Sequence, residues 1–274
     1  MGSVQTGSVR PRPPIFRALG KLEPPAEVQI DGSTFRLERV MKHDSWAATA
    51  LYESDTGEQV ACKFQRQQGI GLLPMRWLGR ALARHESGVY QRLEGLEGVP
   101  RLRGPVLVDG KPVDHVVAHD FVPGHPLKHG EPLPDGFFTE LLWLIGEMHQ
   151  RNVAYVDLHK RENILVGDDG RPYLFDFQIS YRLPDNEVLA WLLFPILRLL
   201  QNSDSYHLQK HVIRCRPHGG EGEIARVRPW WISAYRLIAV PFRTMRRRVL
   251  ALAKVRDRSG RAHSECFTEE GVKK

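Results

Sequence analysis

Three polar side chains near the middle of the chain suit the chemistry of phosphoryl transfer. Asp157 and Asn163 lie in the segment Tyr155–Asn163, and Asp176 follows the short apolar run Tyr173–Phe175, so we expect all three at loop or strand-end positions. Moving a phosphoryl group requires one carboxylate that orients or deprotonates the acceptor hydroxyl. It also requires an amide and a second carboxylate that hold Mg²⁺ against the phosphates. We assign these roles to Asp157, Asn163 and Asp176, in that order.

A lysine and a glutamate upstream extend this set. Lys63 lies at the end of a predicted strand, where its cation is placed to contact the phosphates of ATP. Glu86 lies on a helix predicted from Leu78 to Leu93, and we expect it to pair with Lys63. Glu94 and Glu97 are the alternatives for this pairing.

Apolar periodicity and turn residues predict the elements that must position these groups. Strand patterns alternate every second residue, helical patterns recur every three or four, and Asp-Gly pairs mark hairpin turns. The expected elements are strands at Phe35–Leu37, Trp46–Tyr52 and Gln59–Phe64, a helix at Leu78–Leu93, a hairpin around Asp109–Gly110, a helix at Phe137–Gln150 and a hairpin around Gly167–Gly170. Beyond Leu183 we expect helix, and we predict that the run Trp191–Leu197 is a core helix kinked at Pro195 rather than a membrane element.

The order of these parts resembles that of the protein-kinase-like superfamily over residues 34–180: strand lysine, helix glutamate, hinge, catalytic loop and metal-binding loop. The compact hinge Phe121–Gly124 and the Asp-Leu-His opening at Asp157 look most like the smaller bacterial-type members. These include lipopolysaccharide core kinases, RIO-type kinases and aminoglycoside phosphotransferases. The resemblance implies that ATP and Mg²⁺ bind between two lobes, with Asp120 and Val122 of the hinge at the nucleotide.

The resemblance also implies the fold class, α+β, with two lobes. We expect an antiparallel N-lobe sheet with one helix and a mainly helical C-lobe. The predicted boundaries are a disordered arm rich in Gly, Ser and Pro at 1–25, the N-lobe at 26–119, the C-lobe with a basic C-terminal region at 120–264, and a tail at 265–274.

The loop between the first strands departs from the family pattern. Where the family has a glycine-rich loop, this sequence has Lys42–Ala48 without a glycine. We expect the backbone amides of Ser45, Ala47 and Ala48 to approach the phosphates, with weaker cover than glycine permits.

The catalytic loop and the segment after it also depart from the family pattern. Asp157 and Asn163 are six positions apart, one more than in the family, so either one residue is looped out or the amide ligand is misassigned, with His159 as the fallback. After Asp176 there is no Ala-Pro-Glu element, which disfavours an ordinary eukaryotic-type protein kinase.

Charge is concentrated towards the C-terminus. The whole chain has a formal net charge of +7, but residues 205–262 hold 14 Lys or Arg against three acidic residues, a net charge of +11. Trp230, Trp231 and Tyr235 are interleaved with these basic residues, a pattern that suits an anionic membrane surface. We favour the interpretation of an amphipathic helix that packs these aromatic side chains into the core and leaves its arginines in solvent; the membrane surface is the alternative, and nucleic acid is a less favoured partner.

The cysteine content and the distribution of apolar residues limit the kinds of structural site and membrane segment that the sequence predicts. Three cysteines without close spacing do not predict a disulfide framework or a structural zinc site, and no signal peptide or membrane span is recognisable. The resemblance to lipopolysaccharide core kinases, together with the missing Ala-Pro-Glu element and the basic C-terminal region, implies a cytoplasmic kinase, peripheral on the membrane, that acts on a hydroxyl of a membrane glycolipid such as lipopolysaccharide core. A small RIO-like serine/threonine protein kinase and a non-catalytic scaffold with the kinase fold are the alternatives.

Overall fold

The fold was determined as a computed structural model, which describes residues 13–70 and 73–215 together with Pro229. An antiparallel sheet of seven strands forms the first lobe. These strands are β1 (Glu27–Ile30), β2 (Ser33–His43), β3 (Ala47–Ser54), β4 (Gln59–Gln65), β5 (Leu107–Val108), β6 (Lys111–Pro112) and β7 (Val116–Asp120). Their order in the sheet is β6-β5-β1-β2-β3-β4-β7, so β4 lies between β3 and β7. The predicted turn at Asp109–Gly110 joins β5 to β6 with φ angles of 50° and 70°, as a tight hairpin requires.

One helix, α1 (Arg76–Arg92), accompanies this sheet. Its buried residues recur at helical spacing: Gly79, Ala83, Glu86, Val89 and Tyr90. Gly79 allows the close approach, because a Cβ there would lie 2.1 Å from the backbone oxygen of Arg66, just after β4. The helix is thereby held against the sheet with Glu86 on its buried stripe.

The second lobe is mainly helical. Its helices are α2 (Phe137–Gln150) and α3 (Glu187–Cys215), and its short strands are β8 (Gly124–Pro126), β9 (Val153–Ala154), β10 (Ile164–Gly167), β11 (Pro172–Leu174) and β12 (Tyr181–Arg182). The strands pair as a three-stranded sheet, β11-β10-β8, and a two-stranded ribbon, β12-β9. The predicted fold class is confirmed: an α+β architecture with an antiparallel sheet and one helix in the N-lobe and a mainly helical C-lobe.

The large core connects the elements that carry the candidate site. It combines apolar side chains of α1, α2 and the strands β7, β9, β10 and β11 with Leu158 and Phe177, which neighbour Asp157 and Asp176. Burial of this kind restricts the neighbouring backbone, because interiors are close-packed. The loops with the two aspartates are therefore fixed on a packed base.

The N-terminal segment differs from the predicted disordered arm over its described part, residues 13–25. Ala18 is fully buried, donates its N–H to the Asp44 carbonyl at 2.7 Å, and accepts a hydrogen bond from the Gln67 N–H at 2.8 Å. The Ile15 carbonyl accepts a hydrogen bond from the guanidinium of buried Arg66 at 2.9 Å. Composition predicted disorder, but long-range hydrogen bonds to buried groups hold this stretch on the N-lobe. The other domain boundaries stay predictions.

The prediction for the run Trp191–Leu197 was wrong in one respect. The run is helical and contains Pro195, but of its residues only Leu197 is buried, and Trp191 is 79% exposed. Helical periodicity predicts that a helix forms, but it does not predict whether protein or solvent covers the apolar side chains. Most of the basic region at 205–262, including Trp230, lies outside the described residues. Among the helices in the described ranges, none is long and apolar enough to cross a membrane.

Candidate active site

Lys63 is bound by two carboxylates, one from each lobe. It lies on β4, paired with Thr49 of β3 and Val117 of β7, so its position is fixed from both sides. Its Nζ donates to Glu86 Oε1 at 3.0 Å and also to Asp176 Oδ1. Burial opposes the charge of the lysine, but the carboxylates of Asp176 and Glu86 outweigh burial and raise its pKa. The structure therefore brings together three of the predicted residues, from a strand, a helix and the loop after β11.

Glu86 and Asp176 differ in their surroundings. The Glu86 side chain is 1% exposed and accepts a second hydrogen bond from Gln65 Nε2 at 2.7 Å. Asp176 is 31% exposed, and although burial acts to raise its pKa, the Lys63 ammonium lowers it below the usual value. Asp176 also has a φ of 63°, which is uncommon for a residue other than glycine. An ionised carboxylate is thus held at a strained position where it is partly open to solvent.

Asp157 and Asn163 meet directly despite their six-residue spacing. Asn163 Nδ2 donates to Asp157 Oδ2 at 2.9 Å, and Lys160 Nζ lies 2.6 Å from the same oxygen. The extra residue is absorbed in a turn, in which the Lys160 N–H bonds to the Asp157 carbonyl before a 3-10 turn at Arg161–Asn163. This geometry orients the Asn163 amide so that its oxygen is the group left to act as a ligand. His159 Nδ1 is 3.2 Å from Asp157 Oδ1 and remains a neighbour.

The Oδ1 atom of Asp157 is buried and accepts no hydrogen bond from the described residues, although His159 Nδ1 lies 3.2 Å away as an ion-pair neighbour. A buried carboxylate oxygen that accepts no hydrogen bond is unfavourable in itself, and a catalytic role is one reason for which native structures keep such a group. An acceptor hydroxyl is a donor of the required kind.

Asp204 is a site residue that the sequence did not reveal. Its fully buried carboxylate accepts hydrogen bonds from the backbone N–H groups of Tyr155 (2.7 Å) and Val156 (2.8 Å), and His149 Nε2 is at 3.2 Å. Val156 has a φ of 70°, an outlier for a β-branched residue. Asp204 therefore holds the strained backbone immediately before Asp157. Between Glu187 and the end of α3 it is the one acidic residue, which is the signal that could have drawn attention to it.

Aromatic contacts join the catalytic loop to the loop that carries Asp176. The Phe177 ring packs edge-on against Tyr90 of α1 (4.8 Å between centroids) and against Tyr155 (5.5 Å). The Tyr155 hydroxyl donates to the Phe175 carbonyl. Phe177 thus keeps helix α1, the Asp157 loop and the Asp176 loop in one packing unit.

Residues of the glycine-free loop between β2 and β3 form hydrogen bonds and an ion pair with one another. Asp44 Oδ1 accepts hydrogen bonds from the N–H groups of Trp46 (2.7 Å) and Ala47 (3.0 Å), and Lys42 Nζ is 2.9 Å from Oδ2. Burial acts to raise the pKa of Asp44, but Lys42 and the two N–H groups outweigh it and lower the pKa to about 2. The Ala47 amide, predicted to approach a phosphate, is therefore bonded to a carboxylate in this structure.

The other two loop residues named for phosphate binding also have contacts inside the N-lobe. The Ser45 hydroxyl donates to the Phe16 carbonyl at 3.0 Å. Ala48 is fully buried, and pairs with His43 of β2 and Phe64 of β4. Their predicted contacts with the nucleotide stay predictions.

The hinge follows β7. Asp120 is the last residue of β7. The Asp120 carboxylate forms ion pairs with Arg101 (3.2 Å) and Arg103 (2.6 Å). Its backbone N–H bonds to the Arg101 carbonyl, and the His119 Nδ1 lies 2.8 Å from its carbonyl oxygen. Val122 is half-buried between β7 and β8. The predicted roles of Asp120 and Val122 at the nucleotide also stay predictions.

The donor set of Asn163 and Asp176 fits Mg²⁺ in chemical type. Both supply hard oxygen atoms, and a Mg²⁺ site at phosphates uses one or two carboxylates, water and the phosphates themselves. Among the described residues no group of three or more His, Cys, Asp or Glu side chains forms a site that could hold a metal by itself.

Solved kinase structures are similar to this chain at low identity. The Rio2 kinase from Chaetomium thermophilum aligns with a TM-score of 0.47 and 16% sequence identity, over 66% of this chain and 60% of that one. Its ADP/Mg²⁺-phosphoaspartate complex gives a TM-score of 0.47 and 15% identity, over 69% of this chain and 60% of that one. The chain thus spans about 60% of the length of these structures. The sequence matches no protein-family model and no curated protein.

Proposed function

We propose that this protein is an ATP-dependent phosphotransferase that moves the γ-phosphoryl group of ATP to a hydroxyl. The observation that carries the proposal is the arrangement of two ion clusters. Lys63 is bound by Glu86 and Asp176, while Asp157 is bound by Lys160 and Asn163 with one buried oxygen unsatisfied. Positioning and electrostatic stabilisation are what phosphoryl transfer requires of a protein.

In the proposed reaction Asp157 orients the acceptor and receives its proton. The acceptor oxygen forms a bond to the γ-phosphorus as the bond between that phosphorus and the β,γ-bridging oxygen breaks. The hydroxyl proton passes to Oδ1 of Asp157, and ADP is the leaving group. Lys160 lies 2.6 Å from the other carboxylate oxygen, where its ammonium forms an ion pair with Asp157.

Lys63 acts on the nucleotide side of the proposed reaction. Its ammonium neutralises phosphate charge, and Glu86 orients the lysine from the buried face of α1. Asn163 and Asp176 would hold Mg²⁺, which when bound neutralises the charge that develops on the phosphates. Asp204 acts on none of the reacting atoms and positions the loop of Asp157.

For the acceptor we propose a sugar hydroxyl on a membrane glycolipid, with the protein on the cytoplasmic face of the membrane. Two features of the sequence support this choice. The stretch after Asp176 lacks the Ala-Pro-Glu element of peptide-phosphorylating kinases, and residues 205–262 have a net charge of +11, which suits an anionic surface.

Transfer of labelled γ-phosphate tests the proposal. The full chain is incubated with Mg-ATP and host-cell extract, and label is counted separately in the lipid and protein fractions. We expect label in the lipid fraction that falls about 100-fold or more in Asp157→Asn. Asp168→Asn makes the same change at an exposed position of the hairpin between β10 and β11, and it should retain full activity.

Each alternative predicts a different outcome of this experiment. Label that depends on Asp157 but enters protein would replace the glycolipid kinase with a RIO-like serine/threonine protein kinase. A non-catalytic binding protein is the alternative that the bond from Ala47 to Asp44 favours, since that amide is not free for a phosphate. No label in either fraction and no binding of Mg-ATP would support this last function.

A further inference from the structure

The first half of α3 is attached to the protein by a narrow stripe. The residues that pack inwards recur every three or four positions, which defines one face of a helix: Ala190, Leu193, Leu197 and Leu200. They pack against Ala154 of β9, Leu183 and Val156. The remainder of the circumference is left without a partner among the described residues.

This uncovered part of the helix is almost entirely apolar. Val188 is 77% exposed, Trp191 79% and Leu192 63%, and four further residues are more than 40% exposed: Leu189, Phe194, Ile196 and Leu199. We call these seven residues the α3 apolar face. Contiguous exposed apolar surface of this kind marks an interaction site, whereas single exposed side chains do not.

The charges at and after this face indicate the nature of the partner. From Val188 to Ser203 the one charged residue is Arg198, whose guanidinium lies 5.9 Å from the centroid of the Phe194 ring. Asp185, just before the helix, is neutralised by Arg92 and Arg182. The chain then continues into the +11 region at 205–262. An apolar face followed by a polybasic segment is complementary to a membrane with anionic lipids, because stable anchoring takes two such signals.

We propose that the α3 apolar face inserts into the interface of an anionic membrane. Val188–Leu199 spans about 17 Å at 1.5 Å per residue, which is too short to cross the ~30 Å hydrocarbon core. The helix would instead lie in the plane of the interface, with Trp191 and Phe194 among the acyl chains and Arg198 reaching the headgroups. The inward-packing stripe from Ala190 to Leu200 would hold the rest of the protein on the side of the helix that faces away from the membrane.

The same packing places the candidate site beside the membrane. Val156, which lies in the cluster under α3, directly precedes Asp157. A membrane on the outer side of α3 would thus be separated from the catalytic loop by one helix. In this respect the inference deepens the proposed function and rests on it, since it would bring the catalytic loop within one helix diameter, ~10 Å, of the surface that carries a glycolipid. The insertion itself is independent of catalysis.

Sedimentation with vesicles, in the absence of nucleotide, tests the insertion separately from phosphoryl transfer. The full chain is mixed with vesicles of phosphatidylglycerol and phosphatidylcholine, or of phosphatidylcholine alone. The test variant is Trp191→Ser with Leu192→Ser. The matched control is Trp77→Ser with Leu73→Ser, which removes a tryptophan and a leucine that are 60% and 67% exposed elsewhere. Circular dichroism verifies that both variants fold.

We expect the wild type and the control to bind the anionic vesicles, and the partition coefficient of the test variant to fall about tenfold or more. Absence of wild-type binding would overturn the inference. Equal binding by all three proteins would also overturn it, because the basic residues alone would then account for binding. A vesicle-free dimer that the test variant converts to a monomer, measured by light scattering, would reassign the face to a second copy of the chain.

Discussion

Asp204 accepts a hydrogen bond at 2.8 Å from the backbone N–H of Val156, 48 positions earlier in the chain. Val156 has a left-handed backbone conformation that costs a β-branched residue about 1–3 kcal/mol. A fully buried carboxylate on a long helix therefore stabilises the strained conformation that precedes the proposed catalytic aspartate.

Asp204→Ala should destabilise the protein strongly. The substitution leaves the buried N–H groups of Tyr155 and Val156 without acceptors, and each such loss costs about 1–3 kcal/mol. We expect the free energy of unfolding to fall by about 2–5 kcal/mol in urea titrations. Ser205→Ala, which removes a hydroxyl bonded within α3, should change it by less than about 1 kcal/mol. Equal effects of the two changes would mean that Asp204 does not hold the loop.

Asp44→Ser should increase the affinity for Mg-ATP. The change replaces the charged acceptor of the Trp46 and Ala47 N–H groups with a weaker, neutral one and removes a negative charge from a loop predicted to face phosphates. With the screening of bulk water, a unit charge at about 4 Å changes such an interaction by about 1 kcal/mol, so the Kd should fall about three- to tenfold. Calorimetric titration with Mg-ATP measures it.

The control for this prediction is Asp55→Ser, which removes the same charge from an exposed turn of the same lobe. Its Kd should stay at the wild-type value. If the Kd of Asp44→Ser is unchanged or higher, Asp44 is a structural cap, and the loop amides do not contact the nucleotide.

The contacts that the sequence did predict arise from local periodicity. The helical period placed Glu86 on the buried face of α1, which ends at Arg92, so Glu86 meets Lys63 while the alternatives Glu94 and Glu97 lie beyond the helix. The elements around Asp157 and Asp176 were likewise predictable from turn residues and apolar runs.

The contacts that the sequence did not predict connect distant parts of the chain or depend on what covers a surface. Asp204 reaches Val156 across 48 positions, and Ile15 binds Arg66 across 51. Neither pairing leaves a pattern in a short window of sequence. The exposure of Trp191 was missed for a different reason, since a helix that is apolar on all sides has the same sequence pattern whether protein or lipid covers it.

Lys63→Met should cost more stability than removal of both Lys63 and Glu86. The single change leaves the Glu86 carboxylate, 1% exposed, without its cation, and breaking a buried pair from one side typically costs 3–5 kcal/mol. Lys63→Met with Glu86→Leu removes both charges, so we expect it to recover about 1 kcal/mol or more of that loss. Urea unfolding followed by circular dichroism gives both values.

Arg80→Met is the control for the lysine change. It breaks an exposed ion pair, 3.6 Å long, between Arg80 of α1 and Asp114, and should change stability by less than about 1 kcal/mol. A double variant that is less stable than Lys63→Met would show that Glu86 keeps enough other partners to remain charged without the lysine.

His211 should make the protein less stable in mild acid. It is 1% exposed, its Nε2 donates to the Leu158 carbonyl at 2.7 Å, and its Nδ1 has no partner among the described residues. Burial lowers its pKa to about 4, with smaller contributions from Lys210, Arg161 and Arg214, whereas the hydrogen bond to Leu158 opposes the shift. In the unfolded chain His211 takes up a proton near pH 6.5, whereas in the folded protein it does so only near pH 4. Stability is therefore complete above pH 6.5 and is lost as the pH falls towards 4.

The expected loss attributable to His211 is about 2 kcal/mol between pH 7 and pH 5. His211→Gln keeps an N–H donor for the Leu158 carbonyl but does not titrate, so its free energy of unfolding should decline less than that of the wild type over this interval. His129→Gln, at an exposed position, should follow the wild-type curve. Urea titrations at pH 7, 6 and 5 measure the free energy of unfolding of each protein. If it declines equally with pH in the wild type and in His211→Gln, the imidazole is protonated in the folded protein and Nδ1 has a partner.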